Sequence, residues 1–315
     1  MTAIPLDDIR AAARRIGPHV KRTPLVGSGT LSDRLGTRVS LKLENLQKTG
    51  SFKPRGALNE VLRLGDAARS SGVVGWSGGN FAQGLAYAGG VAGIPTTIVM
   101  PEGTRPNYVA ATRGYGAVVE LVPGVAESLA HARALASDGR PFMHPFDDPD
   151  MMAGNGSLGI EVVEDAPDVT DVFVSIGGGG LIGGVASAVK ALAPDARVWG
   201  VETEGADAMR LALDAGHPVD MIPTSVARTL GAPRVSDRTL AIVQELVDDV
   251  IVVPDAATID WVITLLERAK VLAEPAAACT AAAAEVVGRR LGSHVVLVIC
   301  GGNVAVEDLA GWAGG

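Results

Sequence analysis

The 315-residue sequence predicts an α/β fold made of open parallel sheets with helices packed on both faces. Three observations carry that expectation. Short apolar runs alternate with amphipathic ones in a βαβαβ rhythm, which implies parallel strands joined by right-handed crossovers. Glycine-rich turns follow three of the apolar runs, at Ser77-Gly78-Gly79-Asn80, Gly177-Gly178-Gly179-Gly180 and Cys300-Gly301-Gly302-Asn303. Forty glycines against 4% aromatic residues suit such tight strand-to-helix junctions.

Taken in order, Leu6 to Ile16 reads as an amphipathic helix started near Pro5 and stopped by Gly17-Pro18. Thr23-Pro24-Leu25 is extended, because proline biases the residue before it away from helix. Val39 to Leu43 alternates as a strand entering a core, and Thr49-Gly50-Ser51 forms a turn whose hydroxyls can cap a helix beginning at Ser51. Ala57, Leu58 and Val61 give that helix an apolar face. Strands are expected at 73–76, 94–100 and 117–122, each followed by a helix, at 81–92, about 108–113 and 125–136. Phe142 to Pro149 has little periodicity and reads as a crossing between domains. Beyond it come strands at 172–176, 197–201, 250–253 and 295–299, with helices at 181–192, 239–246 and two more between Ala256 and Val287. There is no internal repeat. The domain expectation is residues 1–70 plus 148–315 for a larger unit and 71–147 for a smaller one.

A net charge of −8 and the absence of a basic stripe argue against nucleic acid as a partner. The N-terminus lacks the apolar core of a signal peptide, and the Ala276–Val287 run is too short and too weakly apolar to span a bilayer. Two cysteines, Cys279 and Cys300, do not make a disulfide framework. The expectation is a soluble cytoplasmic protein without membrane partners.

The chemistry centres on Lys53. It falls in the first turn of the predicted helix, where unpaired N–H groups and the helix dipole disfavour an ammonium, which suits an amine nucleophile or a Schiff-base lysine. The loop Ser77-Gly78-Gly79-Asn80-Phe81 offers unpaired N–H groups at a helix start, a site of carboxylate size. Gly177 to Gly180 opens another helix, so its backbone can wrap a phosphate. Cys300 ends a fully apolar strand at the carboxyl edge of a sheet, where ligand sites of α/β proteins lie. Gly178, Gly180 and Gly183, with Glu202 about twenty residues on, also satisfy a dinucleotide-binding pattern. A nicotinamide-dependent oxidoreductase is therefore an alternative, although it leaves Lys53, the Ser77 loop and Cys300 without a role.

These segments together resemble the threonine/serine dehydratase family of pyridoxal-phosphate enzymes, of the tryptophan synthase β-like fold type II. Ser51-Phe52-Lys53-Pro54-Arg55-Gly56-Ala57 is similar to that family's SFKxRGA signature, Ser77 to Gln83 to its SxGNHxQ segment, and the tetraglycine to its phosphate cup. His144-Pro145-Phe146-Asp147-Asp148, Met152 to Ser157, Glu274-Pro275-Ala276 and Cys300-Gly301-Gly302-Asn303 match further motifs in order. The resemblance implies that Lys53 carries pyridoxal 5'-phosphate, with Phe52, Asn80, Gly177, Gly178, Gly179, Gly180, Glu274 and Cys300 around the cofactor. It implies that Ser77, Gly78, Gly79, Asn80 and Phe81 hold the substrate carboxylate, and that Cys300 faces the pyridine nitrogen. The implied reaction is β-elimination of a 3-hydroxy amino acid to a 2-oxo acid and ammonia, in a homodimer.

Departures refine the expectation. Phe81 replaces the family's histidine. Gly78 stands where serine racemases of the family carry a second serine, which places racemase below dehydratase. Glu202 and Ala206 match a divalent-cation site found in some relatives, but Ala208 replaces its aspartate, so no metal is expected. Ser225-Val226-Ala227-Arg228-Thr229 replaces the common SIADG pattern, and Arg228 is either a surface charge or a partner for a polar or acidic substrate group, as in a hydroxyaspartate-type racemase or dehydratase.

Overall fold

The computed structural model describes residues 3–137 and 139–314. In chain order the strands are β1 (Leu25–Gly27), β2 (Arg38–Leu43), β3 (Val73–Trp76), β4 (Thr96–Pro101), β5 (Val118–Val122), β6 (Phe142–Met143), β7 (Asp171–Ser175), β8 (Arg197–Thr203), β9 (Asp249–Val253) and β10 (His294–Ile299). They form a six-stranded sheet of order β1-β2-β10-β7-β8-β9 and a four-stranded sheet of order β5-β4-β3-β6. Every pairing is parallel except β1 with β2. The expected α/β architecture of open parallel sheets is the observed one.

The strand sequences explain the strand order. His294-Val-Val-Leu-Val-Ile299 is buried at every position, as a central parallel strand covered on both faces must be, and β10 lies between β2 and β7. At the edge of the smaller sheet, β5 leaves Val118 and Leu121 exposed. The segment from Phe142 is not wholly irregular: Phe142 and Met143 pair with Val74 and Gly75 on β3. Two residues are too few to show a period.

Sequence periodicity missed the helix Pro149–Asp165. Asp148 caps it, its Oδ1 accepting from the N–H groups of Asp150 at 2.7 Å and Met151 at 3.0 Å. Its glycines interrupt the apolar pattern because they serve close packing. A Cβ on Gly154 would lie 2.8 Å from the Cα of Gly56 in the helix Lys53–Leu62. A Cβ on Gly159 would lie 2.9 Å from the Val185 carbonyl of the helix Gly180–Leu192. One buried helix thus fixes the relative position of the Lys53 turn and the tetraglycine turn.

The expected capping of the Lys53 helix is corrected. The helix begins at Lys53, after a 3₁₀ turn Lys48–Gly50, and Phe52 caps it without a side-chain bond. The hydroxyls of Thr49 and Ser51 are buried and find no hydrogen-bond partner among the described residues. The chain is instead held by β10's exit: the Phe52 N–H donates to the Cys300 carbonyl at 2.9 Å, and Ser51 bridges Gly301.

Beneath the turn lies a buried charge cluster. The Arg55 guanidinium donates to both oxygens of Glu44, at 2.8 and 2.9 Å, and to both oxygens of Glu161, at 2.7 and 2.9 Å. Lys42 adds a 2.6 Å ion pair to Glu161. Arg55, Lys42 and Glu44 are fully buried, so each charge depends on its partners for the solvation that water would give.

Candidate active site

A cavity of about 630 Å³ opens at the carboxyl ends of β3, β7 and β10, between the two sheets. Phe52, Lys53, the Ser77–Phe81 loop, Gly177 to Gly180, Glu274 and Cys300 all line it. Residues far apart in sequence therefore meet in one space.

Lys53 is half-buried, with its exposed surface in the cavity. Its Nζ donates to the Pro145 carbonyl at 3.0 Å and lies 5.1 Å from the Phe52 ring centre and 5.5 Å from that of Phe81. Burial pushes the amine down to about 8, against the pull of Cys300 and Glu274. The helix dipole invoked from sequence is thus secondary to desolvation. The Pro145 carbonyl is itself placed by its own turn, because the His144 ring Nδ1 accepts from the Asp147 N–H at 2.8 Å.

The tetraglycine is a cup of donors. Among the described residues, the N–H groups from Gly177 to Ile182 have no protein acceptor. Side chains are excluded from the bend: a Cβ on Gly179, where φ is +96°, would lie 2.6 Å from the Thr239 Cβ, and one on Gly180 would lie 2.8 Å from the Phe146 Cα. Thr239 is fixed by a capping box with Ser236. Consecutive unpaired donors at a helix N-terminus, in a bend that only glycine fits, suit a phosphate group.

The Ser77 loop is a second, smaller donor set. Ser77 Oγ accepts from the Gly79 N–H at 3.1 Å, which leaves the N–H groups of Gly78, Asn80 and Phe81 without a partner among the described residues. Phe81 does not project a polar group as a histidine would. It packs into the apolar core beneath the loop, 2% exposed.

Cys300 and Glu274 complete the walls. The Ser175 hydroxyl donates to Cys300 Sγ at 3.4 Å, and burial raises the thiol to about 12, so sulfur stays protonated at neutral pH. Glu274 Oε1 accepts from Asn80 Nδ2 at 2.8 Å and from the Thr229 hydroxyl at 2.9 Å, while Oε2 is buried without a hydrogen-bond partner among the described residues. Burial raises this carboxyl to about 7.

Several lining residues escaped the sequence reading. Asn303 Nδ2 donates to Asn80 Oδ1 at 2.9 Å, and Tyr108 donates its hydroxyl to the Asn303 carbonyl at 2.5 Å. Arg105 pairs with Asp308 at 2.6 Å, so two contacts join the segment after β4 to the segment after β10 across the cavity mouth. Asn303 was visible as the last residue of the Cys-Gly-Gly-Asn motif, but Tyr108, Arg105 and Asp308 carry no motif. Arg228 is exposed, lines the cavity and has no acidic partner within salt-bridge distance among the described residues.

Glu202 has a structural task. Its carboxylate accepts from the N–H groups of Met209 and Arg210, both at 2.8 Å, at the start of the helix Ala208–Ala215. Glu202 is fully buried and does not line the cavity, so the ribose-binding role in the nicotinamide alternative fails. Among the described residues no group of three His, Cys, Asp or Glu could hold a metal ion, and no helix is long and apolar enough to cross a membrane.

The chain is 42% identical over 308 residues to the L-threonine ammonia-lyase of Thermotoga maritima, an overlap covering 96% of this chain and 77% of that one. It is 37% identical over 311 residues to the L-threo-3-hydroxyaspartate ammonia-lyase of Saccharomyces cerevisiae, covering 96% and 94%. The solved structure of maize serine racemase matches with a TM-score of 0.93 at 34% identity, covering 98% of this chain and 96% of that one. A family model described as pyridoxal-phosphate dependent enzyme matches residues 16–301. These matches overturn the nicotinamide alternative and accord with an amine, a cup of unpaired donors and a thiol sharing one cavity. The chain belongs to the pyridoxal-phosphate dependent enzyme family.

Proposed function

We propose that this enzyme is a 3-hydroxy amino acid ammonia-lyase that converts L-threonine or L-serine to a 2-oxo acid and ammonia. The observation that carries the reading is the single cavity in which the depressed amine of Lys53 faces both an unpaired donor cup and a protonated thiol. The relative acting on L-threonine, at 42% identity, supports it.

The residues fit the cofactor. The amides of Gly177 to Ile182 would hold its phosphate, Lys53 would carry it, and Asn80, Glu274 and Cys300 would border its ring. When bound, pyridoxal phosphate supplies an electron sink for the bond broken at the substrate's α-carbon.

This chain's residues do the rest. The free N–H groups of Gly78, Asn80 and Phe81 bind and orient the substrate carboxylate. Lys53 Nζ, depressed to about 8, is present as the neutral, proton-accepting amine at neutral pH far more often than an exposed lysine is. The Pro145 carbonyl orients that nitrogen, and the Phe52 and Phe81 rings exclude water around it. Cys300, protonated and held by Ser175, cannot offer the ring the full negative charge that a carboxylate would. That restraint favours elimination of the β-hydroxyl over transamination. Net loss of water across Cα–Cβ, followed by hydrolysis, releases 2-oxo acid and ammonia.

Arg228 favours a second reading, in which the substrate is an acidic 3-hydroxy amino acid, as for the yeast relative. Racemisation ranks lower because Gly78 has no hydroxyl. The cofactor-bearing residues are taken as 1–70 plus 148–315, and the carboxylate-binding residues as 71–147, a division supported by the separate sheets. A homodimer rests on the family resemblance. A cytoplasmic setting is supported by two buried cysteines kept as free thiols. The test is a 2-oxo-acid and D-amino-acid assay on L-threonine, L-serine, L-threo-3-hydroxyaspartate and L-alanine. Predominant D-product, or no 2-oxo acid from any 3-hydroxy amino acid, refutes the lyase assignment.

A further inference from the structure

The carboxylate loop has a neighbour that no motif marks. Thr104, in the turn after β4, lines the cavity, and a Cβ built on Gly78 would lie 2.8 Å from its Oγ1. The threonine hydroxyl therefore occupies the space into which a side chain at position 78 would grow. Its backbone is fixed, since the Thr104 N–H donates to the Pro101 carbonyl at 2.9 Å. Its hydroxyl makes no hydrogen bond with any described residue, and neither do the adjacent amides of Gly78, Asn80 and Phe81.

A half-buried alcohol and three amides without a protein acceptor thus border the same cavity, next to Gly78, where one carboxylate would accept from them in place of water. Each of these groups can donate, and a carboxylate accepts through about four lone-pair directions. A role as a proton-abstracting base does not fit: an alcohol needs a partnered base to surrender its proton, and among the described residues none lies within hydrogen-bond distance of Oγ1. We propose that Thr104 is a further substrate-binding residue, its hydroxyl donating to the amino-acid carboxylate held by the Ser77–Phe81 loop. Gly78 is then required to be small because Thr104 supplies the hydroxyl. This deepens the amino-acid reading of the site and rests on it.

The test uses the holoenzyme with L-alanine, which has the carboxylate and amine but no β-hydroxyl to eliminate, and ethylamine, which has no carboxylate. Binding is followed by the change in cofactor absorbance. Thr104→Val keeps the shape and removes the hydroxyl. It should weaken L-alanine binding about tenfold to a hundredfold, the worth of one hydrogen bond to a charged group, and leave ethylamine unchanged. Thr104→Ser should restore L-alanine binding to within about twofold of wild type. For L-threonine turnover, the valine variant should show its loss in KM, with kcat moved less.

Gly78→Ser alone should crowd Thr104 and weaken binding, and the double variant Gly78→Ser with Thr104→Gly should recover it, because the hydroxyl has only been moved. The proposal is overturned if Thr104→Val binds L-alanine like wild type, if the serine variant is as weak as the valine variant, or if ethylamine loses affinity equally. It is also overturned if L-alanine causes no change in the wild type. A protein that shows the alanine pattern yet releases no ammonia from any 3-hydroxy amino acid sinks the lyase reading and leaves Thr104 standing.

Discussion

Gly180→Ala tests the phosphate cup. Gly180 is the first residue of its helix, and an added Cβ would lie 2.8 Å from the Cα, Cβ and carbonyl oxygen of Phe146. Ordinary contact begins at 3.4 Å, so Phe146 must retreat by about 0.6 Å, and two of the three atoms are backbone. Phe146 is not free to do so. Its ring stands edge-on to His144 at 4.6 Å, and the residue before it supplies the carbonyl that holds Lys53. A 0.6 Å shift passed to Pro145 would stretch that 3.0 Å bond to about 3.6 Å, beyond hydrogen-bond range. Overpacking of this kind costs about 1–3 kcal/mol, or about fivefold to a hundredfold in an equilibrium constant. Titrating apoprotein with pyridoxal phosphate should show its Kd rising by that factor, with slower capture by Lys53. Gly29→Ala is the control, since a Cβ there meets nothing within 4 Å. If Gly180→Ala binds the cofactor within about twofold of wild type, the argument that this bend is a filled mould is wrong.

Three further predictions follow from the same geometry. Lys53 falls from 10.5 to about 8 on folding, so between those values the unfolded chain binds more protons and the apoprotein gains stability as pH rises. In urea titrations the stability of wild type relative to Lys53→Met should therefore increase with pH across that window. Glu274, raised to about 7, acts the other way between 4.5 and 7, and because the Lys53 ammonium holds that carboxyl down, its loss is larger in the methionine variant and the comparison is made above pH 8. Arg55→Met leaves Glu44 and Glu161 buried without their guanidinium partner, and should cost about 3–5 kcal/mol in equilibrium unfolding. Arg55→Lys should rescue only part of it, because one ammonium cannot serve two carboxylates bidentately. Tyr108→Phe removes the bond to the Asn303 carbonyl across the cavity mouth, a loss of about 1 kcal/mol, and should raise KM about fivefold with a smaller change in kcat.

The residues proposed to carry chemistry were legible as cavity-lining groups where the backbone itself carries the signal. Glycine runs after apolar strands mark places where amides are exposed, and both donor sets lie where their sequences placed them. Lys53 was legible through the motif around it, though the reason for its lowered pKa was not. Sequence shows the helix start, whereas the dominant effect is burial beneath Phe52, Phe81 and the far wall. The helix Pro149–Asp165 was hidden because its glycines face other helices at backbone contact, which erases the apolar period that reveals an ordinary amphipathic helix. Thr104 was hidden for a different reason. A hydroxyl in an exposed turn has no pattern of its own, and its meaning arises only where the chain returns to set it against Gly78. The absence of a side chain at 78 and the presence of one at 104 are a single structural choice written in two places. The paired exchange of Gly78 and Thr104 can show them to be one, since each substitution alone should harm carboxylate binding and both together should not.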